Sequence, residues 1–235
     1  MAGALSIMLS LPAAADALRP TIFDLPLGAT ASSLPGPRHF SLLACGSNGG
    51  PPGETIVGWT DYHQCRAEAD GLHEVYFEYD DEAEYVARAH DDYVAGWTAG
   101  TNIDSFPVIT SVLFDDEGSA EAERIVTDPR PEQRRDGFLH LRPRQEHYLL
   151  GLYLLDRFGM NASNCHDAPA APGESPMLGM FVKQNCAAVV GDRSYTIQSR
   201  LLRRPGESDV DPATGMQTEG AFLSETRAEI RLGHK

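Results

Sequence analysis

The chain has 235 residues, of which 42% are hydrophobic and 23% are charged, and its net charge is −15. This composition is typical of a folded globular protein, and the length suits one large domain or two small ones. The negative charge excludes a nucleic-acid-binding protein, which needs a basic surface, and it argues against electrostatic docking on anionic lipid.

The N-terminal residues have the pattern of an export signal. An apolar run from Ala4 to Leu11 precedes Ala15-Asp16-Ala17, which fits a cleavage site, although the usual basic residues before the run are missing. The run is much shorter than the ~20 apolar residues that span a bilayer. We therefore predict an export signal over residues 1–17, a periplasmic or secreted location and no transmembrane segment. The alternative is that these residues form a disordered or packed N-terminal tail.

Residues 18–130 contain mainly strand patterns. HFSLLAC leads as a strand into Cys45, and HEVYFEYDD places Val75, Phe77 and Tyr79 on one side, which predicts a half-buried strand. The next run, EAEYVARAHDDYVAGW, predicts a helix. Residues 106–128 predict a β-hairpin, because an acidic turn separates two β-rich runs.

The clearest helix runs from Pro143 to Phe158. Proline suits the first helical position, and Gly159 suits the position after the last turn. We predict that this helix is buried on all sides at the centre of the core, because apolar residues cover most of its circumference. They are Tyr148, Leu149, Leu150, Leu152, Tyr153, Leu154, Leu155 and Phe158.

Two further strands are predicted after the helix. RSYTIQSRLLRRPG and AFLSETRAEIRL have strand patterns, and the long segment ESDVDPATGMQTEG connects them as a turn. Hairpins with few helices predict an α+β fold in which antiparallel sheet dominates.

Two segments of the chain share a spacing. CGSNGGPPGE at Cys45 and CHDAPAAPGE at Cys165 both place Pro-Gly-Glu after six intervening residues, and a second cysteine closes each segment at Cys65 and Cys186. The match predicts a duplicated β-rich module, with residues 18–130 as the first repeat and 131–235, helix included, as the second. The two repeats are expected to pack as one globular domain. The alternative is chance similarity between two loops rich in proline and glycine.

The four cysteines are predicted to form disulfides, because an even number of cysteines behind an export signal favours oxidation. Duplication favours the local pairing, Cys45–Cys65 and Cys165–Cys186. An all-cysteine zinc site does not fit, because structural zinc ligands usually lie two to four residues apart.

Charge is distributed unevenly along the chain. Acidic side chains dominate residues 54–123, where Arg66 and Arg88 are the only basic residues. The acidic half is interpreted as a solvated face, and the alternative is that the two halves dock through opposite charges. No cofactor is expected. The alternative is a divalent cation such as Ca²⁺, because the densest acidic stretch offers many oxygens, although EF-hand spacing is missing. Its candidate ligands are Asp80, Asp81, Glu82, Glu84, Asp91 and Asp92.

Arginines follow the acidic half in a run. We interpret them as partners of the acidic residues, and the alternative is a site that grips an anionic ligand. The run comprises Arg124, Arg130, Arg134, Arg135, Arg142 and Arg144.

Common enzyme motifs are missing from the sequence, which contains no G-x-S-x-G, H-E-x-x-H, P-loop or G-x-G-x-x-G. We therefore expect an exported, non-enzymatic binding or accessory protein of the cell envelope. Its expected partner is another envelope protein or a small ligand, bound in a cleft between the repeats. Two alternatives are an exported hydrolase with a dispersed Ser/His/Asp site and a cation-binding protein that uses residues 80–92.

Overall fold

A large antiparallel sheet dominates the structure, which is a computed structural model. One short α-helix, several 3₁₀ turns and a separate two-stranded ribbon complete the secondary structure of the described residues. The structure describes residues 22–36, 40, 42–79, 101–104, 106–129, 144–204, 209–210, 217–218 and 222–233.

The helix and the strands are numbered in chain order. They are β1 (Leu42–Cys45), β2 (His73–Glu78), β3 (Thr101–Ile103), β4 (Phe106–Phe114), β5 (Ala120–Thr127), α1 (Leu150–Arg157), β6 (Cys165–Asp167), β7 (Val182–Val190), β8 (Arg193–Arg203), β9 (Asp209–Val210), β10 (Gln217–Thr218) and β11 (Phe222–Leu232). The predicted hairpin is β4 and β5, and the two predicted C-terminal strands are β8 and β11. The mainly antiparallel α+β class is therefore correct.

The sheet consists of two halves. Its strand order is β1-β2-β4-β5-β11-β8-β7-β6, and β3 pairs with β4. We call β1 to β5 the first half and β6, β7, β8 and β11 the second half. Antiparallel pairing of β5 with β11 joins the halves at the centre, from Arg227 opposite Val126 to Arg231 opposite Ala122.

The sheet has two chemically different faces, because directly paired residues on neighbouring strands share a face. We call one the packed face, and its central row is apolar apart from one threonine: Leu43, Phe77, Thr110, Ile125, Ala228 and Ile197. The 22–34 segment, the 3₁₀ helix Trp59–Gln64 and α1 contribute to the core on this face. We call the other the charged face, where the corresponding row is Tyr76, Ser111, Arg124, Glu229, Thr196 and Ala187.

The predicted central helix is real but only partly buried. A 3₁₀ turn spans Arg144–Leu149 and leads into α1, and Gly159 follows the helix with a φ of 67°. Leu152 is 61% exposed and Tyr153 is 37% exposed, so the prediction of burial on all sides is wrong. The physical reason is that α1 packs on β8 and β11 with one side only. Pro143 lies outside the described residues.

Hydroxyl groups of β11 dock the start of this helical segment. The Ser224 Oγ donates to the Gln145 carbonyl and accepts from the Tyr148 amide at 3.1 Å. The Thr226 Oγ1 accepts from the Gly151 amide at 3.1 Å. These bonds satisfy amide groups that the first turn of a helix leaves without intrahelical partners.

Two disulfides join Cys45 to Cys65 and Cys165 to Cys186, which is the local connectivity that the predicted duplication favours. Their settings differ. Cys45 ends β1 and its partner follows a 3₁₀ helix, whereas Cys165 and Cys186 lie directly opposite each other on β6 and β7.

The glycines matched by the proposed duplication differ in conformation. Gly58 is extended, with a φ of −159°, whereas Gly179 has a φ of 80°. Equivalence of the two segments therefore has no support in their local geometry. The duplication and its boundaries at residues 18–130 and 131–235 remain predictions.

The sequence predicts a half-buried β2, but Glu74 is 2% exposed and Tyr76 is 1% exposed, so both faces of this strand are covered.

The helix predicted in EAEYVARAHDDYVAGW lies outside the described residues. No helix in the part of the chain that the structure describes is long and apolar enough to cross a membrane.

Candidate functional site: the charged face and its adjoining cleft

The charged face is built around β11, whose sequence alternates charged and uncharged residues. Glu225, Arg227, Glu229 and Arg231 are partly exposed, whereas the even-numbered residues from Ser224 to Ile230 are buried. A strand places successive side chains on opposite faces, so the alternation turns four charges toward one side of the sheet.

Arg124 of β5 is the centre of this face. Its guanidinium donates to both carboxylate oxygens of Glu68, at 2.7 and 3.0 Å, and to Glu229 at 3.2 Å. The Glu74 carboxylate is also 3.2 Å from the Nη1 of Arg124. Arg124 is 3% exposed and Glu74 is 2% exposed. One buried arginine therefore holds three carboxylates, each from a different segment of the chain.

The glycine-rich segment after Cys45 covers this cluster. The backbone amides of Asn48 and Gly49 donate to the two carboxylate oxygens of Glu74. Gly49 has a φ of 73°, and a Cβ there would collide with the Val126 side chain. Successive amides in such a turn form an anion-binding concavity, and here an internal carboxylate already occupies it. The segment is therefore an internal clamp, and its amides are not free to bind a phosphate.

Arg227 and Arg231 extend the network along β11. Arg227 donates to the backbone carbonyl of Asn48 at 2.8 Å and to its side chain. Arg231 donates to Asp70 at 2.9 Å and to Glu229. The network therefore ties the loops at residues 46–53 and 66–72 to the central strands.

These contacts shift the pKa values of Glu68, Asp70 and Arg124. Hydrogen bonds from Arg124 lower the pKa of Glu68 below its ordinary value of 4.5, although burial works in the opposite direction. Burial opposes ionisation of Asp70, but its bonds from Arg231 and the Leu72 amide lower the pKa overall. Burial also opposes the charge on Arg124, and the three carboxylates more than offset it, so its pKa is raised. Glu68, Asp70 and Arg124 are thus ionised at neutral pH.

A cleft of about 530 Å³ lies where the network reaches the end of the sheet. Arg231 lies on its wall and is already paired with Asp70 and Glu229. The wall therefore carries more negative than positive charge. Its lining residues are Asp70, Leu72, Asp115, Glu121, Ser194, Arg231, Leu232 and Gly233.

A second polar cluster surrounds the end of the first disulfide loop. The His73 Nδ1 lies 2.6 Å from the Cys65 carbonyl, and its Nε2 lies 3.2 Å from the Asp116 carboxylate. The Tyr62 hydroxyl donates to the Asp116 carbonyl, and burial together with the acidic turn raises the pKa of Tyr62. These contacts fasten the β4–β5 turn to the disulfide loop.

The candidate site residues from the sequence have different outcomes. The acidic candidates Asp80, Asp81, Glu82, Glu84, Asp91 and Asp92 lie outside the described residues. Within the described ranges, no group of three or more His, Cys, Asp or Glu side chains is arranged to hold a metal ion. Of the arginine run, Arg124 pairs with Glu68 and Glu74 of the acidic half, as the preferred interpretation proposed. The side chains of the other five are not described.

Sequence reasoning missed the charged face. The signal was present in ETRAEIRL, where period-two alternation of charge predicts a strand with one charged side. Glu68, Asp70 and Glu74 could not be assigned to it, because their approach depends on how the disulfide loop folds back. No protein-family model matches the chain, and no curated protein or solved structure is significantly similar to it.

Proposed function

We propose that this chain is an exported, non-enzymatic binding or accessory protein that holds a ligand in the cleft beside Arg231. The two disulfides support the export part of the proposal, because such bonds persist in oxidising compartments outside the cytosol. The observation that carries the binding part is the cleft itself. Its volume of about 530 Å³ falls in the range of small-ligand sites.

The lining suggests the chemistry of the ligand. Asp115 and Glu121 line the cleft together with the Asp70–Arg231 pair, so a ligand with a positive group is favoured over an anion. Leu72 and Leu232 offer apolar contact, and Val189, 74% exposed, pairs with Ser194 at the rim. A small molecule that carries an amine or guanidinium group on a short apolar chain fits this lining.

Nuclear magnetic resonance titration of the oxidised protein tests the binding part. Agmatine and a lysine–leucine dipeptide are the probes, and citrate is the anionic control. We expect saturable shifts of amides that line the cleft with a cationic probe. Ser194→Phe fills the cleft and should abolish the shifts, whereas Thr196→Phe, two residues along the same face, should retain them. Equal binding by both variants, or no saturable shift with either cationic probe, would overturn the proposed site.

Thiol trapping tests the export part separately. The full chain is expressed in a bacterial host, and cell fractions are alkylated before lysis. We expect the chain outside the cytoplasm with all four cysteines protected. Recovery in the cytoplasm with free thiols contradicts export but leaves the ligand test unaffected.

A further inference from the structure

A tight turn between β6 and β7 displays two apolar side chains. Met177 and Met180 exchange backbone hydrogen bonds of 2.8 and 2.9 Å, leaving Leu178 and Gly179 as the turn residues. Leu178 has a φ of 49° and Gly179 a φ of 80°. This is the geometry of a two-residue hairpin turn in which both residues are left-handed.

Leucine is an unusual residue for this conformation. Left-handed backbone is unfavourable for residues with a branched or bulky side chain, and asparagine, aspartate and glycine occupy it more readily. The other two non-glycine residues with positive φ in the described part of the chain are Asn48 and Asp104, which follow this preference. Leu178 therefore occupies a turn position that its side chain does not favour.

The leucine gains no packing in return. Leu178 is 78% exposed and the neighbouring Met180 is 48% exposed, whereas Met177 is 8% exposed and anchors the turn. Ser175 pairs with Arg203 of β8 through two backbone bonds of 3.1 and 2.9 Å. The base of the turn is thus fixed to the sheet, while an apolar tip remains in water.

From this combination of an unfavourable backbone conformation and an exposed side chain, we infer that Leu178 and Met180 form an anchor that inserts into an apolar pocket of a protein partner. Two other occupants fit less well. A chain with a net charge of −15 is repelled by anionic lipid. A second copy carries the same charge of −15 and is repelled as well, and a symmetric contact of one turn tip with another offers few side chains toward the ~800 Å² per partner of a stable interface.

Site-specific photo-crosslinking tests this surface. A benzophenone amino acid replaces Leu178 in the full chain, expressed in its natural host, and Val57, which is 89% exposed, carries the same probe as a control. We expect one discrete protein adduct from position 178 that is missing from position 57. Self-adducts, lipid adducts or no adduct specific to position 178 would overturn the inference.

The crosslinked protein is then purified, and its affinity for the wild type and for Leu178→Asn is measured. We expect the variant to bind about tenfold or more weakly, because full burial of one leucine accounts for at least that factor. The midpoint of thermal unfolding should stay the same or rise, since asparagine suits the left-handed turn. A lower midpoint would assign Leu178 a packing role, and unchanged affinity would also contradict the anchor.

Discussion

The two halves of the sheet share one packed face but differ on the other. In the first half, both faces are covered, and Tyr76, Leu113 and Val126 on the charged face are each at most 2% exposed. In the second half, β7 and β8 leave that face open, with Val189 74% exposed. The boundary between the two lies at β11, where the charged residues are partly exposed.

The comparison shows that covering a charged sheet face requires internal neutralisation. Glu74 and Arg124 are almost fully buried, and each would be costly to bury alone. They are compatible with burial because Arg124 bonds three carboxylates and two loop amides bond Glu74. On β7 and β8, the open face leaves its polar side chains in contact with water, so no such compensation is needed.

The largest difference is expected from removing an arginine in each half. Arg124→Met leaves Glu74 buried without its cation, so the free energy of unfolding should fall by about 3–5 kcal/mol. The matched change, Arg200→Met, removes hydrogen bonds to Gln184 and Asn185 and should cost about 1 kcal/mol. Urea denaturation of the oxidised proteins measures both. Equal losses would contradict the claim that the buried ion cluster around Arg124 stabilises the protein more than the hydrogen bonds of Arg200 do.

Removing each disulfide in turn compares the halves again. The loops span 20 and 21 residues, so replacing either cysteine pair by alanine should cost about 3 kcal/mol through chain entropy. The local effects should differ. Loss of Cys45–Cys65 should accelerate hydrogen exchange at the Asn48 and Gly49 amides, because that disulfide holds their loop over Glu74. Loss of Cys165–Cys186 should leave these two amides protected, and acceleration in both variants would argue against a local clamp.

Two glycines with positive φ provide a finer test. Gly49→Ala and Gly191→Ala both force alanine into a left-handed conformation, with φ values of 73° and 65° in the native protein. A Cβ at residue 49 would collide with the Val126 side chain, whereas a Cβ at residue 191 would have no neighbouring atom within 4 Å. We expect Gly49→Ala to cost about 1–3 kcal/mol more than Gly191→Ala by urea denaturation. A similar loss of stability in both variants would mean that the loop at Gly49 is not packed closely against Val126.

The smallest expected effect is pH dependence. Glu68 and Asp70 have lowered pKa values in the folded state, so their contribution is complete above their ordinary values of 4.5 and 3.8 and is lost as the pH falls through the folded values. Stability should therefore decline on acidification below about pH 4.5. Glu68→Gln should flatten this decline more than Glu174→Gln, whose carboxylate pairs with Lys183 and lies outside the Arg124 cluster. Calorimetry at several pH values measures the stability of each variant. Parallel plots of stability against pH for the two variants would exclude Glu68 as a major cause of the decline.

Local pattern predicted much of the fold, and contacts distant in sequence explain what it missed. The β4–β5 hairpin, β8 and β11 follow from turn chemistry and periodicity, and both disulfide pairings are the ones that the predicted duplication favours. β7 was missed because its sequence was interpreted only as part of a disulfide loop. Burial of Glu74 could not be inferred, because it depends on Arg124 fifty residues later and on amides of a preceding loop. The exposure of one side of α1 could not be predicted either, because apolar residues around the whole helix do not show which side packs on the sheet.

Hydroxyl-radical footprinting of the folded, oxidised protein tests the central difference between the halves most directly. Tyr76 and Val189 both belong to the charged face, and tyrosine is intrinsically the more reactive side chain. The structure predicts that Val189, 74% exposed, is labelled readily while Tyr76, 1% exposed, stays protected until the protein unfolds. Labelling of Tyr76 in the native state at a rate equal to or above that of Val189 would show that the charged face of the first half is open.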